Sequence, residues 1–217
     1  MSTDADGDRF ADRTEAGRRL ANELVERDVE ADVVLAIPRG GLPLGRIVAG
    51  ALDAPLDIVV ASKIGAPGNP EYAIGAVGSD GSAWLDEDTI DRLGVSESYV
   101  ETEREREATA AREKASRYRG DRPAPDLTGK SVVVVDDGVA TGATAIAALR
   151  LVRAKGADHV VLAVPVGPPD TVARLDTECD AVVSLLTPSS FGAVGAFYDQ
   201  FGQVSDEEAM TYLDEER

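Results

Sequence analysis

Two adjacent carboxylates at the end of an apolar run are the residues of this sequence best placed to do chemistry. The stretch is VVVVDDGVATGAT, from Val132 to Thr144. Four valines lead into Asp136 and Asp137, then a turn through Gly138, Val139, Ala140, Thr141, Gly142, Ala143 and Thr144. Gly138 and Gly142 allow a tight turn with backbone N–H groups facing inward. A helix opening near Ala143 aims its positive dipole end at the same place, and Thr141 and Thr144 add hydroxyl donors. Such a cradle suits a phosphate group, each charge-assisted hydrogen bond being worth ~1.5–3 kcal/mol. The carboxylates repel a phosphate; they suit the neutral hydroxyls of a sugar, or a metal ion bridging to them. Phosphate donors beside diol acceptors fit a ribose 5-phosphate. Two other phosphate loops are excluded, because GVATGAT has no Walker-type lysine and PRGGLPLG is not G-x-G-x-x-G.

The elements that must position these groups follow from apolar runs and their spacing. Strands are expected at Asp32–Ile37, Leu56–Ser62, Ser131–Val135, His159–Val164 and Asp180–Leu186. Helical spacing runs from Arg9 to Val29, with Phe10, Ala16, Leu20, Ala21 and Leu24 on one face. Further helices are expected at Leu42–Asp53, Ser96–Gly120, Ala143–Lys155 and Asp170–Asp176, with an acidic one closing the chain. Strands alternating with helices predict an α/β fold: a mostly parallel sheet flanked by helices, in one domain over residues 1–217. Residues 62–86, rich in Gly and Pro, read as a loop with a small hairpin, and residues 186–217 as an aromatic-bearing hood and final helix. The strand ending at Val135 then delivers Asp136 to the carboxyl edge of the sheet, where α/β proteins bind ligands. The charged helix Ser96–Gly120 reads as a solvated face whose glutamates cancel its arginines. Pairs such as Glu101–Arg104 and Glu113–Arg117 add only a few tenths of a kcal/mol each.

Composition narrows the setting. The 217 residues are 43% hydrophobic, enough for a folded domain with its own core. No apolar run approaches the ~18 residues of a membrane span, and the polar, acidic start does not look like a secretory signal, so a cytoplasmic protein is expected. A formal net charge of -18 makes nucleic acid and anionic membrane poor partners. One cysteine, Cys179, excludes an internal disulfide and a Cys-based zinc cluster, and the lone His159 leaves no second histidine for paired nucleophile chemistry. The only lysines are Lys63, Lys114, Lys130 and Lys155. An acidic, lysine-poor surface suits a halophilic setting, since at ~1 M salt the Debye length is only ~3 Å and mutual repulsion is screened.

VVVVDDGVATGAT resembles the 13-residue signature of the type I phosphoribosyltransferases. The resemblance implies binding of phosphoribosyl pyrophosphate (PRPP) with Mg2+ held at Asp136 and Asp137, directly or through water. It further implies transfer of the phosphoribosyl group to a nitrogenous base in nucleotide salvage, by a homodimer. Companion elements follow in the family's order. IPRGG (Ile37–Gly41) resembles the pyrophosphate loop, with Arg39 and the backbone of Gly40 and Gly41 on the diphosphate and an unusual peptide near Arg39–Gly40. Lys63 opens a segment similar to the Lys-x-Gly-x-x-Gly of adenine-type enzymes, where the lysine meets the diphosphate and the following loop acts as a lid that excludes water. Glu71 is the candidate proton donor or acceptor to the base. PSSFGAVGAFYDQF lies where the family places the base; it gathers Phe191, Phe197, Tyr198 and Phe201, of which Phe191 is expected to stack on the acceptor. Two departures disfavour hypoxanthine and guanine: Ala140 and Ser190 stand where 6-oxopurine enzymes carry an Asp and a Lys. A PRPP-sensing module that has lost catalysis would share the same cradle and is the alternative reading.

Overall fold

In the computed structural model, which describes residues 9–120 and 122–214, eight strands and seven α-helices follow one another along the chain. In order they are α1 (Arg13–Glu26), β1 (Val33–Ala36), α2 (Gly41–Ala51), β2 (Leu56–Ile58), β3 (Ala61–Ala66), β4 (Asn69–Gly78), β5 (Ala83–Leu85), α3 (Glu87–Leu93) and α4 (Glu97–Arg119). Then come β6 (Ser131–Val135), α5 (Ala143–Ala154), β7 (His159–Val166), α6 (Pro169–Asp176), β8 (Ala181–Leu186), a 3-10 turn (Val194–Phe197) and α7 (Asp206–Asp214).

β6 shows why the apolar runs become a two-sided sheet. Its alternating side chains point to opposite faces. Val132 and Val134 join one core with Leu149 and Val152 of α5, while Val133 and Val135 join another with Leu20 and Leu24 of α1 and Val48 of α2. The sheet order is β2-β1-β6-β7-β8 with every pairing parallel, the α/β architecture that the alternation of elements predicts. The periodic face of α1 is buried as its spacing requires: Ala16, Leu20, Ala21 and Leu24 all lie in the core, with Phe10 just ahead of the helix. No helix among the described residues is long and apolar enough to cross a membrane.

The expectation for Leu56–Ser62 as one strand is corrected. The run pairs with β1 only to Ile58, crosses at Val59–Val60, and restarts as β3, which pairs antiparallel with β4. The segment read as loop and small hairpin is instead a three-stranded sheet, β3-β4-β5, followed by the helix α3. Its Ile64, Ile74 and Val77 are buried with Ile90 of α3 and with Val100 and Ala108 of α4. Gly and Pro mask these strands in sequence because their stability comes from packing against α4 rather than from local propensity.

Two contacts tie this small sheet to α5: Arg150 lies 3.8 Å over the Trp84 ring, and Lys155 meets Asp80 at 2.9 Å. Burial alone would raise the Asp80 pKa, but hydrogen bonds from Ser82 and the Lys155 ammonium outweigh it and bring it to about 2. A depressed carboxyl pKa stabilises the fold above its unfolded value and loses that contribution as the pH falls through about 2. Because Asp80 is partly exposed, solvent screens the pair. Asp80→Asn should therefore lower unfolding free energy at neutral pH by under about 1 kcal/mol. In urea melts the gap from the parent should close as the pH drops from about 4 towards 2.

Candidate active site

Strand order reverses between β1 and β6: the chain leaves β1 towards β2 on one side and enters β6 on the other. Ligands of open α/β sheets sit in the crevice that such a reversal opens at the carboxyl ends of the strands. The two loops singled out in the sequence leave these neighbouring ends, Ala36 being paired with Val135. Ile37 N–H donates to the Val135 carbonyl at 2.9 Å, which holds the loops side by side. A Cβ built at Gly40 would fall on the Asp137 carboxylate, so only glycine permits this approach. The peptide Pro38–Arg39 is cis, one bond before the position where an unusual peptide was expected. Gly41 N–H donates to the Ile37 carbonyl at 3.0 Å and so has an acceptor within the loop.

The helices that open into this crevice differ from the others at their first turn. α1, α3 and α4 begin with Asp12, Asp86 and Ser96, each accepting a hydrogen bond from the turn it caps. α2 and α5 begin with Gly40 and Gly142, which carry no capping side chain. In α2 the Gly41 and Leu42 N–H groups donate to the Ile37 and Arg39 carbonyls and Pro43 has none, whereas in α5 Ala143 N–H lies 3.5 Å from Thr141 Oγ1. α6 lacks a capping side chain too, and its first turn, like that of α2, contains a proline that removes a donor. Gly142 has φ 74°, the left-handed region that glycine enters without strain, and from it the chain turns into α5. Arg174 donates to the Thr141 carbonyl and Thr171 to the Ala140 carbonyl at 2.9 Å, so α6 holds the loop from behind. Among the described residues the Thr144 and Ala145 N–H groups of α5 are left open, and such groups at a helix start favour an anion.

Asp136 and Asp137 stand between these helix starts. Asp136 accepts from the Asp137 N–H at 2.9 Å. Asp137 Oδ2 accepts from Arg13 Nε at 2.8 Å and lies 2.8 Å from Arg13 Nη2, both side chains being 13% exposed. Burial raises the Asp136 pKa well above the usual carboxylate range, with the neighbouring Asp137 charge adding to it. Burial also raises Asp137, although the Arg13 guanidinium pulls it back. Arg13 further donates to the Gly202 carbonyl at 2.7 Å and lies 3.9 Å over the Phe201 ring. Tyr198 donates to the Asp137 carbonyl at 2.7 Å, and its own pKa is pushed up by burial and then by Asp137. Arg13 thus joins the N-terminal helix to both the Asp137 carboxylate and the hood, and Tyr198 adds a bond to the Asp137 backbone.

A cleft of about 750 Å³ opens over Gly40 and Asp137. Its walls bring together Arg39, Lys114, Arg117 and Tyr118 with Phe201, Val204 and Asp206. Lys114 donates to the Pro38 carbonyl at 3.3 Å; partial burial and then the Arg39 charge lower its pKa. Arg117 pairs with Asp206 of α7 at 2.9 Å, so α4 contributes to the site and is not only a solvated face. Sequence reasoning missed Arg13, Lys114, Arg117, Tyr118 and Asp206. One signal was available: Lys114 is one of four lysines in a chain that otherwise uses arginine.

The other expected residues are distributed as follows. Lys63 lies on β3, opposite Ala76 of β4, and is not among the cleft-lining residues. Glu71 belongs to β4 by its backbone; its side chain lies outside the described residues. Phe191 stacks on Phe197 with centroids 5.3 Å apart, so the hood aromatic on the cleft wall is Phe201. Thr141, Ala143 and Thr144 are exposed on the turn into α5, while Val139 is buried against the core. Cys179 is raised to about 11 by burial, an inert thiol. Among the described residues no group of three or more His, Cys, Asp or Glu side chains could hold a metal without help from a ligand.

The sequence model of the phosphoribosyl transferase domain matches residues 8–201. The Mycobacterium tuberculosis protein "Putative phosphoribosyl transferase Rv0571c" is 46% identical over 205 residues, which is 94% of this chain and 46% of that protein. The chain therefore spans about half the length of the curated relatives it matches. The crystal structure of TT1426 from Thermus thermophilus superposes with a TM-score of 0.88 at 46% identity, covering 94% of this chain and 97% of that one.

Proposed function

The chain belongs to the phosphoribosyl transferase family, and from that premise we propose that it transfers the 5-phosphoribosyl group of PRPP to a nitrogenous base, releasing pyrophosphate, in nucleotide salvage. The observation that carries this reading is the pair of buried carboxylates set between the open start of α5 and the loop that carries Arg39 and Gly40. Two anion sites separated by hydroxyl acceptors match a ribose that bears a phosphate at C5 and a diphosphate at C1.

In this reading the turn Gly138–Thr144 holds the 5-phosphate, and Asp136 and Asp137 accept from the ribose hydroxyls. Arg39, with the loop at Gly40, takes the diphosphate. A base nitrogen attacks C1, the bond from C1 to the diphosphate oxygen breaks, and its electron pair leaves on pyrophosphate. The proton displaced from the base passes to a carboxylate such as Glu71 or to water. The base lies under the hood, against Phe191 or Phe201. Water exclusion falls to the exposed β3–β4 turn at Pro67–Gly68, because the bodies of both strands are packed through Ile64 and Ile74.

A divalent cation fits this donor set. Mg2+ is commonly held by one or two carboxylates plus substrate phosphates, and Asp136 and Asp137 are two desolvated carboxylates lacking enough counter-charge. When bound it would neutralise the leaving diphosphate, a service of particular weight in a chain of net charge -18.

Pyrophosphate release from PRPP, followed over a panel of adenine, hypoxanthine, guanine, xanthine, uracil and orotate at low and molar salt, tests the proposal. Release that requires both a base and Mg2+ is expected, with hypoxanthine and guanine poor acceptors. PRPP binding with no release for any acceptor would replace transfer with the sensor reading.

A further inference from the structure

Four basic side chains, Arg13, Arg39, Lys114 and Arg117, line the main cleft against two acidic ones, Asp137 and Asp206. The cleft therefore carries a surplus of two positive charges in a chain whose 40 acidic residues far outnumber its 22 basic ones. Arg13 is committed to Asp137. The remaining three cations converge on one carboxylate or on the loop beside it. Asp206 Oδ1 accepts from the Tyr118 hydroxyl at 2.7 Å and lies 3.3 Å from Arg39 Nη1, while its Oδ2 accepts from Arg117 at 2.9 Å. Lys114 Nζ stands over the same loop at the Pro38 carbonyl. A carboxylate oxygen bound by a guanidinium and a phenol, with its twin on a second guanidinium, occupies the positions two phosphate oxygens would take. The acid comes from the first turn of α7, ahead of Ala209 and Leu213, which supply the buried anchor of the helix.

We propose that α4 supplies the second half of the diphosphate site through Lys114 and Arg117, and that the Asp206 carboxylate of α7 occupies that half until a diphosphate displaces it. The assignment rests on the transferase reading and adds to it: two donors outside the two sequence loops, and an internal anion whose release couples diphosphate binding to the C-terminal helix. The same exchange explains how like charges are kept together in the cleft. Asp206 offsets the mutual repulsion of Arg39, Arg117 and Lys114, and a more highly charged anion takes over that task.

Titration calorimetry with inorganic pyrophosphate and Mg2+ at fixed ionic strength tests both halves. Lys114→Gln and Arg117→Gln should each weaken binding about tenfold or more, the effect of losing one charge-assisted contact. Asp206→Asn, which keeps an acceptor for Tyr118, should tighten it by about tenfold, because the competing charge is gone. In the parent, saturating pyrophosphate should speed amide hydrogen exchange over residues 206–214. Unchanged affinity in the α4 variants, weaker binding in Asp206→Asn, or unchanged exchange in α7 would each overturn the proposal. A parent that binds neither PRPP nor pyrophosphate would instead bring down the transferase reading on which it stands.

Discussion

Alanine at both Asp136 and Asp137 should abolish base-dependent pyrophosphate release, a fall of about 10³-fold or more, the scale expected when electrostatic groups aimed at a reacting centre are removed. The reason lies in how the pair is held. Both carboxylates follow β6 at the carboxyl edge of the sheet, between the loop that leaves β1 and the turn into α5, and burial disfavours their charged forms. Burial raises both pKa values, with the Asp137 charge adding to it at Asp136 and Arg13 offsetting part of it at Asp137, so in the native state protons are retained to a higher pH than in the unfolded chain. Stability from these groups therefore increases as the pH falls from their raised folded values towards the ordinary carboxylate range, and decreases as the pH rises. The double variant loses this term, and its unfolding free energy should vary less steeply as the pH falls towards the ordinary carboxylate range. A residue pair that disfavours the neutral-pH fold yet sits at the ligand crevice is placed there for binding. Retained turnover in the variant, or an unaltered pH slope in urea melts, would remove that inference.

The parts of this molecule legible in the sequence are those dictated by local pattern. The four-valine run of β6 had to be a strand covered on both faces, and the apolar stripe of α1 had to face a core. The loops IPRGG and DDGVATG stood out because glycine at fixed positions has conformational consequences whatever surrounds it. What stayed hidden depends on contacts between segments far apart in the chain. Arg13 lies 124 positions before the carboxylate it grips, and nothing in the period of α1 distinguishes it from Arg18 or Arg19. Asp206 reaches Arg39 across 167 positions. The small sheet β3-β4-β5 was masked for a related reason: its glycines and prolines signal turns locally, while Ile64 and Ile74 gain their stability only once α4 lies against them. Lys114 belongs to a middle class. Its scarcity in an arginine-rich chain was visible, but its direction was set by α4 packing Ala111, Ala115 and Tyr118 against α7, which turns Lys114 towards Pro38.

Arg13→Met should destabilise the protein by about 3–5 kcal/mol at neutral pH, because it leaves the Asp137 carboxylate buried without its counter-ion. Methionine preserves much of the apolar stem, so the effect reports the charge rather than a cavity. Arg13 also bonds the Gly202 carbonyl and covers Phe201, so its loss should loosen the hood and raise the KM for the base more than that for PRPP. Asp137→Asn removes the charge that makes the first change costly. In the Arg13→Met, Asp137→Asn double variant the deficit should therefore fall well below the sum of the two single effects. The sign with pH is fixed as well: in Arg13→Met the unpaired carboxyl is raised further, so the variant's deficit should shrink as the pH is lowered and Asp137 takes up a proton. Urea melts of the four proteins at neutral and mildly acidic pH separate the possibilities. Additive effects, or a deficit indifferent to pH, would mean that the clamp between α1, Asp137 and the hood does not hold the site together.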